Sequence, residues 1–226
     1  MKNSNTIRRL PRLIQPVVWM SCLAVSVSAG RASTIAFTPN GGSQSEGQQI
    51  TYGLQFTPLV DITVDSLAFI DSGEDGLTKS HQVGIWDNTG TLVTSATVTT
   101  ANSTLDGPVD AGSQFRFTPI TPVTLSSGET YTLGGYENQA LSDIWYDGVG
   151  ALTSTDSSLL QLGQSVFRIA GFGEPNQSGG TLDFVIANFA FDVAAPEPST
   201  SVLIGSALIA LGWRRLRGGR KARLCD

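Results

Sequence analysis

The sequence predicts an all-β protein, a single antiparallel β-sandwich of jelly-roll or Ig-like type. An N-terminal signal peptide and a C-terminal hydrophobic helix flank it. Three observations predict the sandwich. Apolar and polar residues alternate with a period of two over short runs. Those runs are rich in Thr, Val, Phe and Tyr and are separated by Gly, Asn, Asp and Ser. No stretch between the two ends carries a long, capped 3.6-residue pattern.

The first element is an export signal, residues 1–32. Lys2, Arg8, Arg9 and Arg12 make a basic start, residues 14–27 are mostly apolar, and small residues follow in Val27-Ser28-Ala29 and Gly30-Arg31-Ala32. Basic, apolar and small-residue regions in that order form a secretory signal, with cleavage after Ala29 or Ala32.

The second element is the domain, residues 33–193. Residues 50–56 alternate, and so do 62–69, with one slip near Ser66. Residues 82–86 are followed by the turn Asp87-Asn88-Thr89-Gly90 and by 91–98 as the hairpin partner. Further strands are expected at 114–119, 123–125, 130–136, 165–170 and 182–193. Ser126-Ser127-Gly128 reads as the tight turn of a second hairpin. Residues 140–163, rich in Ser, Thr, Gly and Asp, read as loops.

The third element, residues 194–226, has three parts. Pro196-Glu197-Pro198 comes first. The uncharged apolar run 201–213 follows, and then Arg214-Arg215-Leu216-Arg217 with further basic residues to Arg223. The apolar run is shorter than the roughly 20 residues of a full span, and flanking arginines that snorkel shorten the mismatch. The basic cluster is expected on the cytoplasmic side of the inner membrane.

Charge and cysteine usage exclude several classes. Between Ser33 and Ala195 only Lys79, Arg116 and Arg168 are basic, against seventeen acidic residues, a net charge of about −14. Nucleic acid is therefore not an expected partner, because its binding needs Lys and Arg to displace counterions. Both cysteines, Cys22 and Cys225, fall in the signals, so the domain holds no disulfide and no thiolate ligand or nucleophile.

His81 is the sole histidine, in "DSGEDGLTKSHQVGIWD". No Gly-x-Ser-x-Gly elbow accompanies it, no partner for Ser80 can be assigned, and one histidine is poor provision for zinc. The expected role of His81 is a hydrogen-bonded polar group at a strand start, and the protein is not expected to be an enzyme. The runner-up is a secreted glycan-processing hydrolase using two carboxylates, which the acidic composition permits but no motif selects. Asp71, Glu74 and Asp75 offer hard oxygen ligands beside glycines and make a candidate calcium loop, calcium being the one cofactor considered. The spacing departs from an EF-hand at Gly73 and Gln82. Trp86, Tyr136, Trp145 and Tyr146 make a candidate ligand platform for carbohydrate, with Trp86 weighed chiefly as a packing residue.

Two resemblances follow from these residues. Pro196-Glu197-Pro198, an apolar helix and terminal arginines resemble the PEP-CTERM sorting signal of Gram-negative bacteria. That resemblance implies processing by an exosortase, transient residence in the inner membrane and a place at the cell surface, outer envelope or extracellular matrix. The strings "SHQVGIWD" and "PVTLSSGETYTLGGY" are similar to a domain of unknown function in exported bacterial proteins. That resemblance implies a β-sandwich and brings no catalytic residue. Together they point to an exported structural or polysaccharide-binding protein associated with exopolysaccharide or biofilm.

Overall fold

The computed structural model describes residues 33–45, 48–110, 112–138 and 143–193. The signal peptide, Pro196-Glu197-Pro198 and the C-terminal hydrophobic helix of the sequence reading lie outside these residues. The described chain is all-β apart from one 3-10 turn, Thr100–Asn102. Among the described residues no helix is long and apolar enough to cross a membrane.

The first strands are β1 (Thr34–Ile35), β2 (Phe37–Pro39), β3 (Ser43–Ser45), β4 (Ile50–Pro58), β5 (Ile62–Ser72), β6 (His81–Trp86), β7 (Leu92–Val98) and β8 (Thr104–Asp110). They continue as β9 (Ser113–Leu125), β10 (Tyr131–Tyr136), β11 (Trp145–Gly148), β12 (Leu152–Ser154), β13 (Leu160–Ile169), β14 (Gln177–Ser178), β15 (Asp183–Val185) and β16 (Ala187–Val193). One sheet has the order β1-β16-β5-β9-β8 and a second the order β14-β13-β4-β10-β6-β7. Two small sheets, β15-β11-β3 and β12-β2, complete the set. The pairings within both large sheets are antiparallel.

The core forms where the large sheets face each other. Phe56 of β4 meets Phe189 of β16 at 4.9 Å between ring centroids, and Phe37 meets Phe189 at 5.4 Å. All three rings are buried. Each such side chain removed from water contributes about 1.5–3 kcal/mol.

Sequence irregularities have local causes. The slip near Ser66 is a β-bulge against β16: Ser66 pairs with Ala190 and Val64 with Phe191, which leaves Asp65 as the extra residue. The expected strands 114–119 and 123–125 are one strand, β9, irregular between Pro119 and Val123. The hairpin of β6 and β7 forms as expected, and the Asp87 carboxylate closes its turn by accepting from the Thr89 and Thr91 amides. The second expected hairpin does not form. β9 and β10 lie in different sheets, and Ser126-Ser127-Gly128 is a corner between them. Asp61 Oδ1 accepts from Ser127 N, and Pro58 O accepts from Gly128 N, so the corner is tied to the β4–β5 turn rather than closed on itself.

A row of glycines thins the second sheet. Gly53, Gly134 and Gly84 lie side by side on β4, β10 and β6. A Cβ on Gly84 would sit 2.9 Å from both Phe172 and Trp86, and one on Gly134 would sit 3.1 Å from Pro175 and from Trp86. The missing side chains make the bed on which Trp86, Phe172 and Pro175 pack.

Candidate functional site

Strand ends and loops gather at one end of the domain. Ser72 of β5 pairs with Ser113 of β9, the loop 73–80 leads into His81, and Tyr136 of β10 pairs with Thr51. This end holds the only histidine, in contact with Asp143, and the Arg116–Asp71 pair.

The His81 ring is fully buried and stacks on Phe69 at 3.8 Å with an interplanar angle of 12°. Its Nδ1 is 3.0 Å from the Tyr136 carbonyl oxygen, and its Nε2 is 2.7 Å from Asp143 Oδ2. Both partners are oxygens, so each ring nitrogen has a contact of hydrogen-bond length. Thr78 N and Thr78 Oγ1 donate to Asp143 Oδ1 at 2.8 and 2.9 Å, and Lys79 N donates to Oδ2 at 3.1 Å. Burial pushes the Asp143 carboxyl up, but the hydrogen bonds from His81, Thr78 and Lys79 outweigh it and hold the group below its ordinary range. The arrangement is a clasp joining the loop before β6 to the segment before β11. Both ring nitrogens are taken up by contacts inside the domain, and the ring is shielded from solvent.

The candidate calcium residues do not converge. Asp71 is buried, pairs with Arg116 Nε and accepts from the Gly76 amide at 3.1 Å. Glu74 and Asp75 point into solvent from the turn. Among the described residues no group of three or more His, Cys, Asp or Glu side chains is placed to hold a metal ion.

The expectation of an exposed aromatic platform is corrected. Trp86, Trp145 and Tyr146 are 4%, 1% and 7% exposed. Trp145 lies 4.2 Å from Tyr52, and the Tyr146 hydroxyl bonds to Ser72 Oγ at 2.8 Å and Ser113 Oγ at 2.6 Å. Tyr136 is half-buried, and its carbonyl serves His81. The physical reason is that 140–163 is not all loop. β11 and β12 form there, pairing with β15, β3 and β2, and this turns the aromatic pair inward. The Tyr52 hydroxyl is pushed up to about 12 by burial, with the Glu137 and Asp147 carboxylates adding to the shift.

Clefts open to solvent occur among the described residues. One of about 460 Å³ is walled by Leu59, Leu152, Leu160 and Leu162 and has no carboxylate in its lining. Another of about 330 Å³ has a single carboxylate, Asp106. Neither brings together the two carboxylates that sugar hydrolysis requires. Sequence reasoning missed the first cleft and also Asp143. Alternation marks which strand face is buried, but the Asp143 contact joins residues 62 positions apart and carries no local signal.

Residues 36–185 match the family described as domain of unknown function (DUF4082), and residues 194–217 match the PEP-CTERM protein-sorting motif. No curated protein matches the chain. The sorting motif implies an exported protein that is processed by exosortase and destined for the cell envelope or surface.

Proposed function

The chain belongs to the DUF4082 family, and on that premise we propose that its exported domain is a non-enzymatic, structural β-sandwich of the Gram-negative cell surface or extracellular matrix. Association with exopolysaccharide is the specific form of this reading. The observation that carries it is the placement of His81. The one residue of the domain able to act as a neutral-pH base is buried, with both ring nitrogens in contact with oxygens of the domain.

The strand orders support a jelly roll. β1-β16-β5-β9 faces β4-β10-β6-β7, which is the interleaving that two Greek keys of eight strands produce. β13 and β14 extend the second sheet beyond β4. The ends of the domain also support a surface role. Thr34 pairs with Phe191, and Val193 pairs with Ile62, so chain entry and exit lie near each other. The loop 73–80 lies at the far end of β5, away from the point of attachment. With its aromatics buried, the domain would meet sugar through hydroxyl, amide and carboxylate groups of exposed loops.

The test is incubation of the processed protein with exopolysaccharide from its host. Retention on the polymer without new reducing ends supports the reading. Reproducible release of reducing ends, abolished by a carboxylate substitution, overturns it.

A further inference from the structure

We propose that the apolar cleft beside β12 and β13 is a binding site for the chain's own sorting linker, the segment Ala194-Ala195-Pro196-Glu197-Pro198. The proposal rests on the sorting motif and is independent of the matrix reading.

The cleft suits such an occupant. Four leucines wall it, and none of its lining residues is charged, although the domain carries about −14. Leu59 is left 44% exposed on its wall. Ser154 Oγ, also in the lining, is buried with no partner among the described residues. An uncharged cleft spares Glu197 the repulsion that the rest of this acidic surface would impose. Proline-rich segments dock at low ordering cost, because proline already fixes an extended backbone, and here leucines take the place of the aromatic side chains that line such grooves elsewhere.

Position selects this segment over others. The last described residue, Val193, pairs with Ile62. Leu59 precedes Ile62 by three positions, in the turn between β4 and β5, and its amide donates to Leu159 O at 2.8 Å. Leu160 pairs with Pro58. The chain therefore leaves the domain beside the wall of the cleft. Paired Cα atoms lie about 5 Å apart, and three residues cover at most about 11 Å. The segment from Ala194 to Thr200 reaches about 22 Å at roughly 3.1 Å per residue, ample for the prolines to lie against Leu59. Seated there, the linker is withheld from exosortase, so docking slows its cleavage.

The test uses the full chain with Cys22→Ser and Cys225→Ser. Gln161→Cys with Ser199→Cys is expected to form an intramolecular disulfide at least tenfold faster than Glu74→Cys with Ser199→Cys, since Glu74 lies at the other end of β5. Leu59→Asp is expected to slow that crosslink about tenfold and to speed C-terminal cleavage in the host several-fold. Ser157→Asp, at an exposed position of the lining, repeats the comparison should Leu59→Asp alter the melting temperature. Equal rates for the two cysteine pairs overturn the proposal. So do crosslinks only between separate chains, and so does a crosslink or a cleavage rate indifferent to both charged variants.

Discussion

His81 Nε2 lies 2.7 Å from Asp143 Oδ2, both side chains out of water, with the imidazole face to face with Phe69. The pair fixes three things at once. His81 starts β6, its Nδ1 holds the end of β10 through Tyr136, and Asp143 gathers the Thr78 and Lys79 amides. A buried pair of this kind contributes little net stability against an apolar replacement, because desolvation offsets attraction. Removal of one partner is costly, because the other is stranded.

Asp143→Ala is therefore expected to destabilise the domain by about 3–5 kcal/mol, as measured by urea unfolding. A double substitution, His81→Leu with Asp143→Leu, is expected to recover a large part of that loss. Equal destabilisation by the single and double variants would show that the loops, and not the pair, are the source of the cost.

The same carboxylate sets an acid limit. Its folded-state value lies below its unfolded one, so its contribution is present above the unfolded value of about 4 and is lost as pH falls through the lower folded value. The melting temperature should fall as pH drops below about 4. The slope should flatten in Asp143→Asn, which no longer titrates. An unchanged slope would assign the acid loss to other carboxylates.

Much of the fold was legible because strands announce themselves locally. β4, β5, β6, β7 and β10 follow the alternation, and even the slip at Ser66 marked a real bulge against β16. What was not legible depends on distant partners. Trp145 and Tyr146 sit in a polar stretch that reads as loop, yet β3 and β15 recruit it into a sheet. The Ser126-Ser127-Gly128 turn has hairpin chemistry, but Asp61 and Pro58 claim its amides and send the chain to the other sheet. Asp71 has the composition of a metal ligand, and only the register of β5 against β9 reveals Arg116 beside it.

The glycine row should be intolerant of any side chain. A Cβ on Gly53 would lie 2.0 Å from the Leu133 carbonyl oxygen, which belongs to the paired backbone and cannot turn aside. Gly53→Ala is expected to cost at least about 1–3 kcal/mol in thermal or urea unfolding. Gly128 has φ 80° and open space around its Cβ position, so Gly128→Ala should cost only about 1 kcal/mol of backbone strain. Similar losses at the two sites would argue against close packing across β4 and β10.

Fluorescence reports the buried aromatics directly. Of the four tryptophans, Trp86 and Trp145 are the two that fall between residues 33 and 193. Both are nearly inaccessible. The processed protein should show blue-shifted emission and weak quenching by iodide, and saturating polysaccharide should leave both unchanged. A sugar-dependent shift or protection from quenching would restore an aromatic platform.

Arg116 and Asp75 separate structural from ligand-binding carboxylates in the loop after β5. Arg116 is the only basic group paired with the buried Asp71 among the described residues. Arg116→Met strands that carboxylate and is expected to cost about 3–5 kcal/mol. Asp75 is exposed, with its oxygens in water, so Asp75→Ala should leave the melting temperature unchanged. Calcium at a hundredfold excess over its dissociation constant would add about 2.7 kcal/mol to a protein that binds it. Because Asp71 is engaged by Arg116 and the Gly76 amide, and no three carboxylates converge among the described residues, millimolar calcium should produce no such stabilisation. A rise in melting temperature with calcium that disappears in Asp75→Ala would mean that the loop reorganises to release Asp71 for the ion.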